Sequence, residues 1–411
     1  MIDKDQTIDA ALLSGARVII IIGPLELGGA ERQAILLARF LAREQKADVE
    51  VWGYGEPGRA AELCEEYGVA WRTMPLPVPW SASRRTQLMR LATFAQALRR
   101  ARPDVILPFM FFQSVACGLV WRWSGARMCI WNQRCEGRDR LGRWTEKLAI
   151  CLTPRFVANS DHGADFLVRE LGVNRDLLRV VHNGVQLGPE QGSRTTWRNH
   201  LGVNEDCFLA CMVANLQQFK DHVTLLQAWR VVVDRLGDAG QQAVLLLAGR
   251  FDETHLTLKA LAFDLELGRS VRFLGSVKDV SGLLGAVDIG VHSSVYEGCP
   301  NGVLECMAAG LAVAGTDYLG IREAVGPRGY PFLAPRGDAE ALAERIIALA
   351  LNPEARREAG ADNRLRIENE FHPSTMYRKI LTLLVEGLRE NSRPPRVSSG
   401  GAALAENHEA R

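Results

Sequence analysis

The chain has 411 residues, of which 47% are hydrophobic and 24% are charged, and 49 Lys and Arg residues nearly balance 48 Asp and Glu residues. These fractions exclude a disordered or fibrous chain, and the length suits two domains better than one. The net charge of +1 argues against a general nucleic-acid-binding protein. Nine scattered cysteines without a C-x-x-C pair indicate neither a disulfide framework nor a zinc site.

The N-terminal sequence and the distribution of charge bear on the protein's location and partners. The first residues, MIDKDQTIDAALLSG, are acidic where a signal peptide is basic, and the apolar runs at 18–23 and 106–112 are too short to span a bilayer. We therefore expect a cytoplasmic protein. Charge is nevertheless uneven, because residues 72–155 hold 15 basic and 4 acidic residues, a net +11. This basic segment is expected to meet an anionic partner.

Strands and helices alternate through the first half of the chain. Residues 17–23 (RVIIIIG) have the apolar run of a buried strand, and the GGAERQ turn after them leads into a helical pattern. Further strands are predicted over 47–55, 104–112 and 126–133, and helices over 59–68 and 83–103. This alternation is typical of an α/β domain with a parallel sheet.

A second alternating series follows a polar, aperiodic stretch at 186–206 that has the composition of a linker. Its predicted strands are 207–216, 243–250, 270–277, 288–294 and 311–317, and its helices are 221–237, 254–267 and 280–287, with helices from Pro335 to about Asn391. The expected fold is α/β, with two tandem Rossmann-like domains. Their sheet edges should enclose one cleft, since open α/β sheets bind ligands at the carboxyl ends of their strands.

The predicted organisation has four parts. A first domain is expected over 1–186, a second over 187–372, a final helix over 373–391 and a disordered, Pro-, Ser- and Gly-rich tail over 392–411.

The densest cluster of candidate functional residues is SSVYEGCPNGVLECMAAG at 293–310. Glu297 ends a predicted strand, and a short helix begins at Pro300 and Asn301. The free backbone N–H groups at such a helix start suit a phosphate or pyrophosphate. Glu305, inside this helix, is placed to accept hydrogen bonds from a diol such as a ribose, with Glu297 on the other side of the anion.

The segment EGCPNGVLE (297–305) resembles the Glu-x₇-Glu element of the retaining glycosyltransferases of family 4, which have the GT-B fold. The resemblance covers nearly the whole chain, from the GGAE turn (28–31) to a C-terminal helix that in such folds crosses back to the first domain. It implies an acceptor-binding first domain and a nucleotide-sugar-binding second domain. It also implies that Glu297 contacts the donor sugar and Glu305 the ribose. Backbone amides would line the sugar and phosphate at Gly298, Cys299, Pro300, Asn301 and Gly302.

A basic pair that neutralises the diphosphate in this family is only half present. In VANLQQFKDH, Lys220 matches the family Lys, but Asn215 replaces the usual Arg. Arg250 is therefore expected to help Lys220 stabilise the leaving group. Gly28 and Gly29 would let the first strand-to-helix turn approach the donor phosphates.

Many relatives place a His near the reacting carbon, but the first His of this chain is His162. Asn132, Gln133 or Arg134 must occupy that region. Of these, Arg134 is a candidate to bind an acceptor anion or the departing phosphate. Structural roles are expected for His162, His182 and His292.

A competing motif is weak. GYGEPG (53–58) fits G-x-G-x-x-G but follows the second strand, contains Pro57 and has no acidic partner downstream, which disfavours a dinucleotide-dependent dehydrogenase. The chain contains no G-x-x-x-x-G-K-[S/T] motif, so a P-loop NTPase is not expected. We expect neither a metal ion nor a cofactor beyond the donor itself.

The expected activity is the retaining transfer of a hexose or N-acetylhexosamine from a nucleotide diphosphate sugar, most readily a UDP-sugar, to a glycan or lipid-linked acceptor. The basic helix over 83–103 has an apolar stripe at Leu88, Leu91, Ala92 and Ala95, which allows peripheral contact with an anionic membrane. Two alternatives stay open. They are a sugar-nucleotide epimerase or hydrolase on the same scaffold, and a non-catalytic nucleotide-sugar-binding partner.

Overall fold

A computed structural model describes residues 12–74, 78–135, 137 and 140–391. The predicted tail over 392–411 lies outside the described residues. Among the helices that are described, none has both the length and the apolar character needed to cross a membrane.

The first half of the chain forms one parallel sheet of seven strands in the order β3-β2-β1-β4-β5-β6-β7. Its strands are β1 (Arg17–Pro24), β2 (Asp48–Tyr54), β3 (Ala70–Thr73), β4 (Val105–Pro108), β5 (Met128–Gln133), β6 (Arg155–Ala158) and β7 (Leu178–Val180). Its helices are α1 (Gly29–Arg43), α2 (Arg59–Tyr67), α3 (Arg84–Ala101), α4 (Phe111–Ser124), α5 (Arg143–Leu152) and α6 (Asp161–Arg169).

The second half forms a parallel sheet of six strands in the order β10-β9-β8-β11-β12-β13. Its strands are β8 (Phe208–Val213), β9 (Ala243–Ala248), β10 (Val271–Gly275), β11 (Ile289–His292), β12 (Ala312–Thr316) and β13 (Leu333–Ala334). The helices are α7 (Arg194–Leu201), α8 (His222–Asp238), α9 (His255–Asp264), α10 (Val280–Ala286), α11 (Asn301–Ala308), α12 (Leu319–Gly329), α13 (Ala339–Leu351), α14 (Pro353–Glu370) and α15 (Pro373–Glu390).

The strand order places a switch point in each sheet, because β1 lies between β2 and β4, and β8 lies between β9 and β11. Connections leave these neighbouring strands toward opposite ends of the sheet, so a crevice opens at their carboxyl ends. The turn after β1 and the loop after β11 lie at these two crevices. The fold confirms the predicted pair of Rossmann-like domains.

The last helix, α15, returns to the first domain as expected. Leu384 is fully buried in the same hydrophobic cluster as Val18 of β1. The ring of Tyr377 stacks on Phe40 of α1 with 4.3 Å between ring centroids. Arg127 donates to the carbonyl oxygen of Leu388 at 2.9 Å. The helix therefore ties the end of the second domain to the core of the first.

The strand predicted over 104–112 is wrong beyond Pro108. Met110 has a φ of 75°, which turns the chain, and α4 begins at Phe111. The prediction failed because the apolar run continues through Phe111 and Phe112 into the helix, and a short apolar run does not distinguish a buried strand from a buried helix.

The stretch predicted as a linker, 186–206, contains helix α7. Ser193 caps this helix, since its Oγ accepts the N–H of Thr196 at 3.2 Å. Arg198 is 1% exposed and pairs with Asp288 at 3.0 Å. The buried position of α7 is occupied by an arginine, so the sequence of this helix shows no hydrophobic periodicity.

Burial on α3 also differs from the predicted stripe. The buried residues are Phe94, Ala95 and Leu98, whereas Leu88 is 67% exposed. The N-terminal half of this helix therefore presents apolar side chains to solvent.

We expect Leu384→Ala to lower the free energy of unfolding by about 2–5 kcal/mol, because the substitution leaves a cavity where α15 packs on the first sheet. Urea denaturation followed by tryptophan fluorescence measures the change. Lys379→Ala, at an exposed position of the same helix, is the control and should leave the midpoint unchanged. A wild-type midpoint for Leu384→Ala would show that α15 contributes little to the first domain.

Candidate functional site

The candidate site lies where α11 begins against the first domain. Asn301, the first residue of α11, donates from Nδ2 to the carbonyl oxygen of Gly29 at 3.1 Å. Asn183 of the first domain donates to the carbonyl oxygen of Cys299 at 3.0 Å and to Oδ1 of Asn301 at 2.7 Å. Pro300 precedes the helix and no side chain caps it. The start of α11 thus faces the start of α1 across the cleft.

Two glycines let the start of α11 pack closely, one against its own domain and one against the first domain. A Cβ on Gly302 would lie 2.0 Å from the carbonyl oxygen of Val213, at the end of β8. A Cβ on Gly298 would lie 2.5 Å from the carbonyl oxygen of Arg134, which follows β5. Glycine is therefore required here for packing between strand ends and the loop, whatever the loop binds.

The turn after β1 is equally tight. The N-cap residue of α1 is Gly28, which has no side chain to cap the helix. The Glu31 carboxylate instead accepts hydrogen bonds from the backbone N–H groups of Gly28 and of Glu31 itself. Burial raises the pKa of Glu31, although these hydrogen bonds and the charge of Arg250 oppose the rise. A carboxyl group thus occupies part of the glycine-rich turn.

Glu297 is a buried carboxylate, not a solvated surface residue. It is 7% exposed, and its Oε1 accepts hydrogen bonds from Lys220 Nζ at 2.5 Å and from His292 Nε2 at 2.9 Å. Burial would raise its pKa, but the charge of Lys220 and the bonds from both residues lower the pKa to about 2. His292, expected to be structural, is therefore a direct partner of Glu297.

Glu305 is also buried, at 6% exposure, and its Oε1 accepts from Arg32 Nη1 of α1 at 2.9 Å. Burial raises the pKa of this carboxyl, and Arg32 opposes the rise. The nearby Cys299 is not a candidate nucleophile, because burial raises its thiol pKa to about 12. No sequence motif indicated that Arg32 would reach Glu305.

Three residues were considered in place of the family His. Of these, Arg134 is linked to the loop before α11, because it binds Asn183, which in turn binds that loop. Its Nη1 donates to Asn183 Oδ1 at 2.9 Å, and its guanidinium lies 4.3 Å from the ring centroid of Phe109. Asn132 and Gln133 instead make hydrogen bonds within residues 130–135. Burial lowers the pKa of Arg134 to about 10.

Arg134 has no carboxylate partner in the described part of the chain, and its Nε is buried without a hydrogen bond. A buried charge is costly without a counter-ion.

Asn215 brings no charge to the cleft, and its side chain instead supports a neighbouring loop. Its Oδ1 accepts the backbone N–H of Arg250 at 3.1 Å and so fixes the start of the loop after β9. The Arg250 guanidinium is held by Asp252, with Nε 2.5 Å from Oδ1. Its Nη1 also lies 3.3 Å from the carbonyl oxygen of Leu27, next to the glycine-rich turn.

A second set of contacts between the domains centres on Glu323 of α12, which sequence analysis missed. Both carboxylate oxygens accept the backbone N–H of Asp161, at 2.9 and 3.0 Å, where α6 begins. His182 Nε2 lies 2.6 Å from Glu323 Oε1, and His162 Nε2 lies 2.7 Å from the carbonyl oxygen of Glu297. Burial would raise the Glu323 pKa, but the hydrogen bonds lower it to about 2.

Comparison with known proteins gives the family. Residues 193–366 match the family described as Glycosyl transferases group 1, and residues 27–188 match Glycosyltransferase Family 4. The chain belongs to the group 1 glycosyltransferases. As the sequence resemblance implied, both domains carry the family pattern, and together the two matches cover most of the chain.

The similar proteins in this family differ in substrate. The chain is 30% identical over 218 residues to D-inositol 3-phosphate glycosyltransferase of Saccharomonospora viridis, covering 51% of each chain. It is 26% identical over 348 residues to 2-deoxystreptamine N-acetyl-D-glucosaminyltransferase of Streptomyces fradiae, covering 77% of this chain and 81% of the relative. The match with the first relative thus spans about half that protein's length.

Among solved structures, the chain is similar to Anabaena Alr3699/HepE in complex with UDP and glucose. The TM-score is 0.77 at 19% identity, over 90% of this chain and all of the other. At this identity the similarity establishes the fold of the family.

We expect Glu323→Gln to lower the melting temperature near neutral pH, because an uncharged amide accepts the α6 N–H groups and the histidines less strongly. The folded-state pKa of Glu323 lies below its unfolded value, so its stabilisation is present above about pH 4.5 and is lost as pH falls toward 2.

Thermal melts from pH 7 to pH 4 measure this difference, with Glu358→Gln on the exposed surface of α14 as the control. The wild-type advantage over Glu323→Gln should be full at pH 7 and begin to shrink near pH 4. Equal melting temperatures for Glu323→Gln and the wild type across this range would contradict the assigned charge state.

Proposed function

We propose that the chain is a retaining, metal-independent glycosyltransferase that moves a hexose or N-acetylhexosamine from a UDP-sugar to a glycan or lipid-linked acceptor. The observation that carries the proposal is the start of α11, which no side chain caps and which buried Glu297 and Glu305 flank. Its free N–H groups suit a diphosphate, and the carboxylates suit the hydroxyl groups of the sugar and ribose. The relative of known structure that binds UDP supports this choice of donor.

Expulsion of the diphosphate requires positive charge near the start of α11. Lys220 supplies it from the second domain beside Glu297, and Arg134 supplies it from the first domain beside Gly298 and Cys299. Arg250 is paired with Asp252 and contacts Leu27 at the glycine-rich turn, not the loop before α11. Arg134 is thus the residue that we propose to compensate for Asn215.

Closure of the domains completes this arrangement. Asn183 holds both Arg134 and the start of α11, so the leaving-group cation and the phosphate-binding amides are positioned by one side chain. A closed cleft also excludes water, which favours transfer to the acceptor over hydrolysis of the donor.

A rim of exposed apolar side chains supports a lipid-linked acceptor. Leu88 of α3, Phe112 of α4, and Trp144 and Leu148 of α5 are exposed by 67%, 37%, 88% and 54%. All lie in the first two turns of helices that begin at the carboxyl edge of the first sheet, the edge that also faces the cleft. The rim belongs to the basic segment 72–155, and we propose that it rests on an anionic bilayer at the inner face of a membrane.

We expect a UDP-sugar to raise the melting temperature more than GDP- or ADP-sugars in a thermal-shift panel, because the matching donor alone stabilises the folded state.

Glu305→Ala should weaken donor affinity about tenfold or more through the lost ribose contact. Lys220→Ala should chiefly lower kcat, by roughly 10²-fold, through the lost leaving-group charge.

Radiolabelled sugar transfer to lipid-linked and soluble glycan acceptors, with Glu358→Ala as the control, measures both effects. Wild-type transfer by Glu305→Ala and Lys220→Ala would refute these two roles. Rapid epimerisation or hydrolysis of the donor without an acceptor would favour the alternative enzyme, and donor binding without transfer to any acceptor would favour the non-catalytic alternative.

For the membrane contact, we expect the double variant Trp144→Ser, Leu148→Ser to lose most binding to vesicles that contain 30% phosphatidylglycerol, because both side chains would lie at the acyl boundary. Co-sedimentation measures the bound fraction. Phe263→Ser, at an equally exposed position of the second domain, is the matched control and should bind as the wild type does. Equal loss in both variants, or no vesicle binding by the wild type, would contradict the proposal.

A further inference from the structure

The ion pair between Arg32 and Glu305 joins the two domains inside the proposed donor site. Arg32 lies in the first turn of α1, three residues after Gly29, and its side chain is 41% exposed. Glu305 lies in α11, four residues after Asn301, or about 6 Å along the helix axis. The pair therefore sits beside the position proposed for the diphosphate and reaches the position proposed for the ribose.

Arg32 is the charged group that acts on Glu305. Burial raises the pKa of the Glu305 carboxyl, and the charge of Arg32 and its hydrogen bond oppose the rise. Among the described residues, the other titratable groups that interact with it are Cys211 of β8 and Cys306 of α11, whose thiols are neutral because burial raises their pKa values. Glu305 thus depends on the first domain for its counter-ion.

One oxygen of this carboxylate stays available. Arg32 donates to Oε1, and no described group donates to Oε2. An ionised carboxylate with one oxygen held in place can accept a ribose hydroxyl at the other, whereas a protonated carboxyl group is a weaker acceptor.

We propose that Arg32 is a positioning residue of the nucleotide site, which holds Glu305 ionised and oriented toward the ribose hydroxyl groups and so makes nucleotide binding depend on closure of the cleft. The inference rests on the proposed function and extends it to a residue of the other domain. When the domains separate, Glu305 loses its counter-ion and binds the ribose less well. By linkage, a nucleotide that uses Glu305 favours the closed arrangement to the same extent.

Isothermal titration calorimetry with UDP and 2′-deoxy-UDP tests this assignment, because the two probes differ by one ribose hydroxyl group. The wild type should bind UDP more tightly than 2′-deoxy-UDP. Arg32→Gln should weaken UDP binding about tenfold and bring the ratio of the two dissociation constants close to one, while Arg32→Lys should restore part of the ratio.

The pH profile gives a second readout that a purely structural residue would not move. Without Arg32, burial acts unopposed and the Glu305 pKa rises further, so the UDP affinity of Arg32→Gln should fall more steeply than that of the wild type as the pH is lowered. Arg39→Gln, on the same helix with its guanidinium 4.6 Å from the Tyr67 ring centroid, is the matched control and should keep both the ratio and the profile.

The outcomes separate the inference from the function on which it rests. A wild-type ratio and pH profile in Arg32→Gln, with UDP still bound, would overturn the role of Arg32 alone. Tighter UDP binding by Arg32→Gln would also overturn it, since Arg32 would then compete with the nucleotide for Glu305. Absence of UDP binding by the wild type would overturn the proposed donor together with this inference.

Discussion

The arrangement of the cleft depends on one contact, the docking of the start of α11 against the ends of the first-domain strands. The surfaces that meet are backbone-rich, and Gly298 brings the carbonyl oxygen of Arg134 within the space that a Cβ would need. The amides of Asn183 and Asn301 then satisfy carbonyl oxygens on both sides. Because buried backbone groups must find partners, this contact fixes the relative position of the two sheets more strictly than an apolar contact would.

Buried charge in the cleft is organised around this docking. Three carboxylates, those of Glu297, Glu305 and Glu323, are each held by donors from a different element, and for Glu305 and Glu323 the donors come from the other domain. An ionised carboxylate removed from water is stable only with such partners. Separation of the domains would therefore remove partners from two acids at once, whereas Glu297 would keep Lys220 and His292. The closed cleft is consequently the state in which the charges of the site are most completely paired.

The sequence was sufficient for the fold and for the neighbourhood of the site, because those depend on local patterns. Hydrophobic runs separated by glycine turns identified β1, β8 and β11, and the spacing of Glu297 and Glu305 marked α11. Local patterns failed where burial did not follow hydrophobicity, as in α7 with its buried Arg198.

The missed partners that join the two domains are distant in the chain. Arg32 and Glu305 are 273 positions apart, and His182 and Glu323 are 141 apart. Such pairs follow from how two domains dock, which no local spacing encodes. The Asn215 substitution was visible in the sequence, but its contact with the Arg250 backbone required the structure.

The orientation of the first domain links the acceptor side to the donor side. Parallel strands bring all their carboxyl ends to one edge, so the helices that follow them all begin at that edge. The exposed Leu88, Trp144 and Leu148 and the buried Arg134 thus lie at the same end of the domain, on its outer rim and at its centre. If the rim contacts a bilayer, a lipid-linked acceptor reaches the cleft along the same edge without leaving the membrane surface. In the proposed function, the basic charge of residues 72–155 then serves lipid headgroups at the rim and, through Arg134, the departing phosphate at the centre.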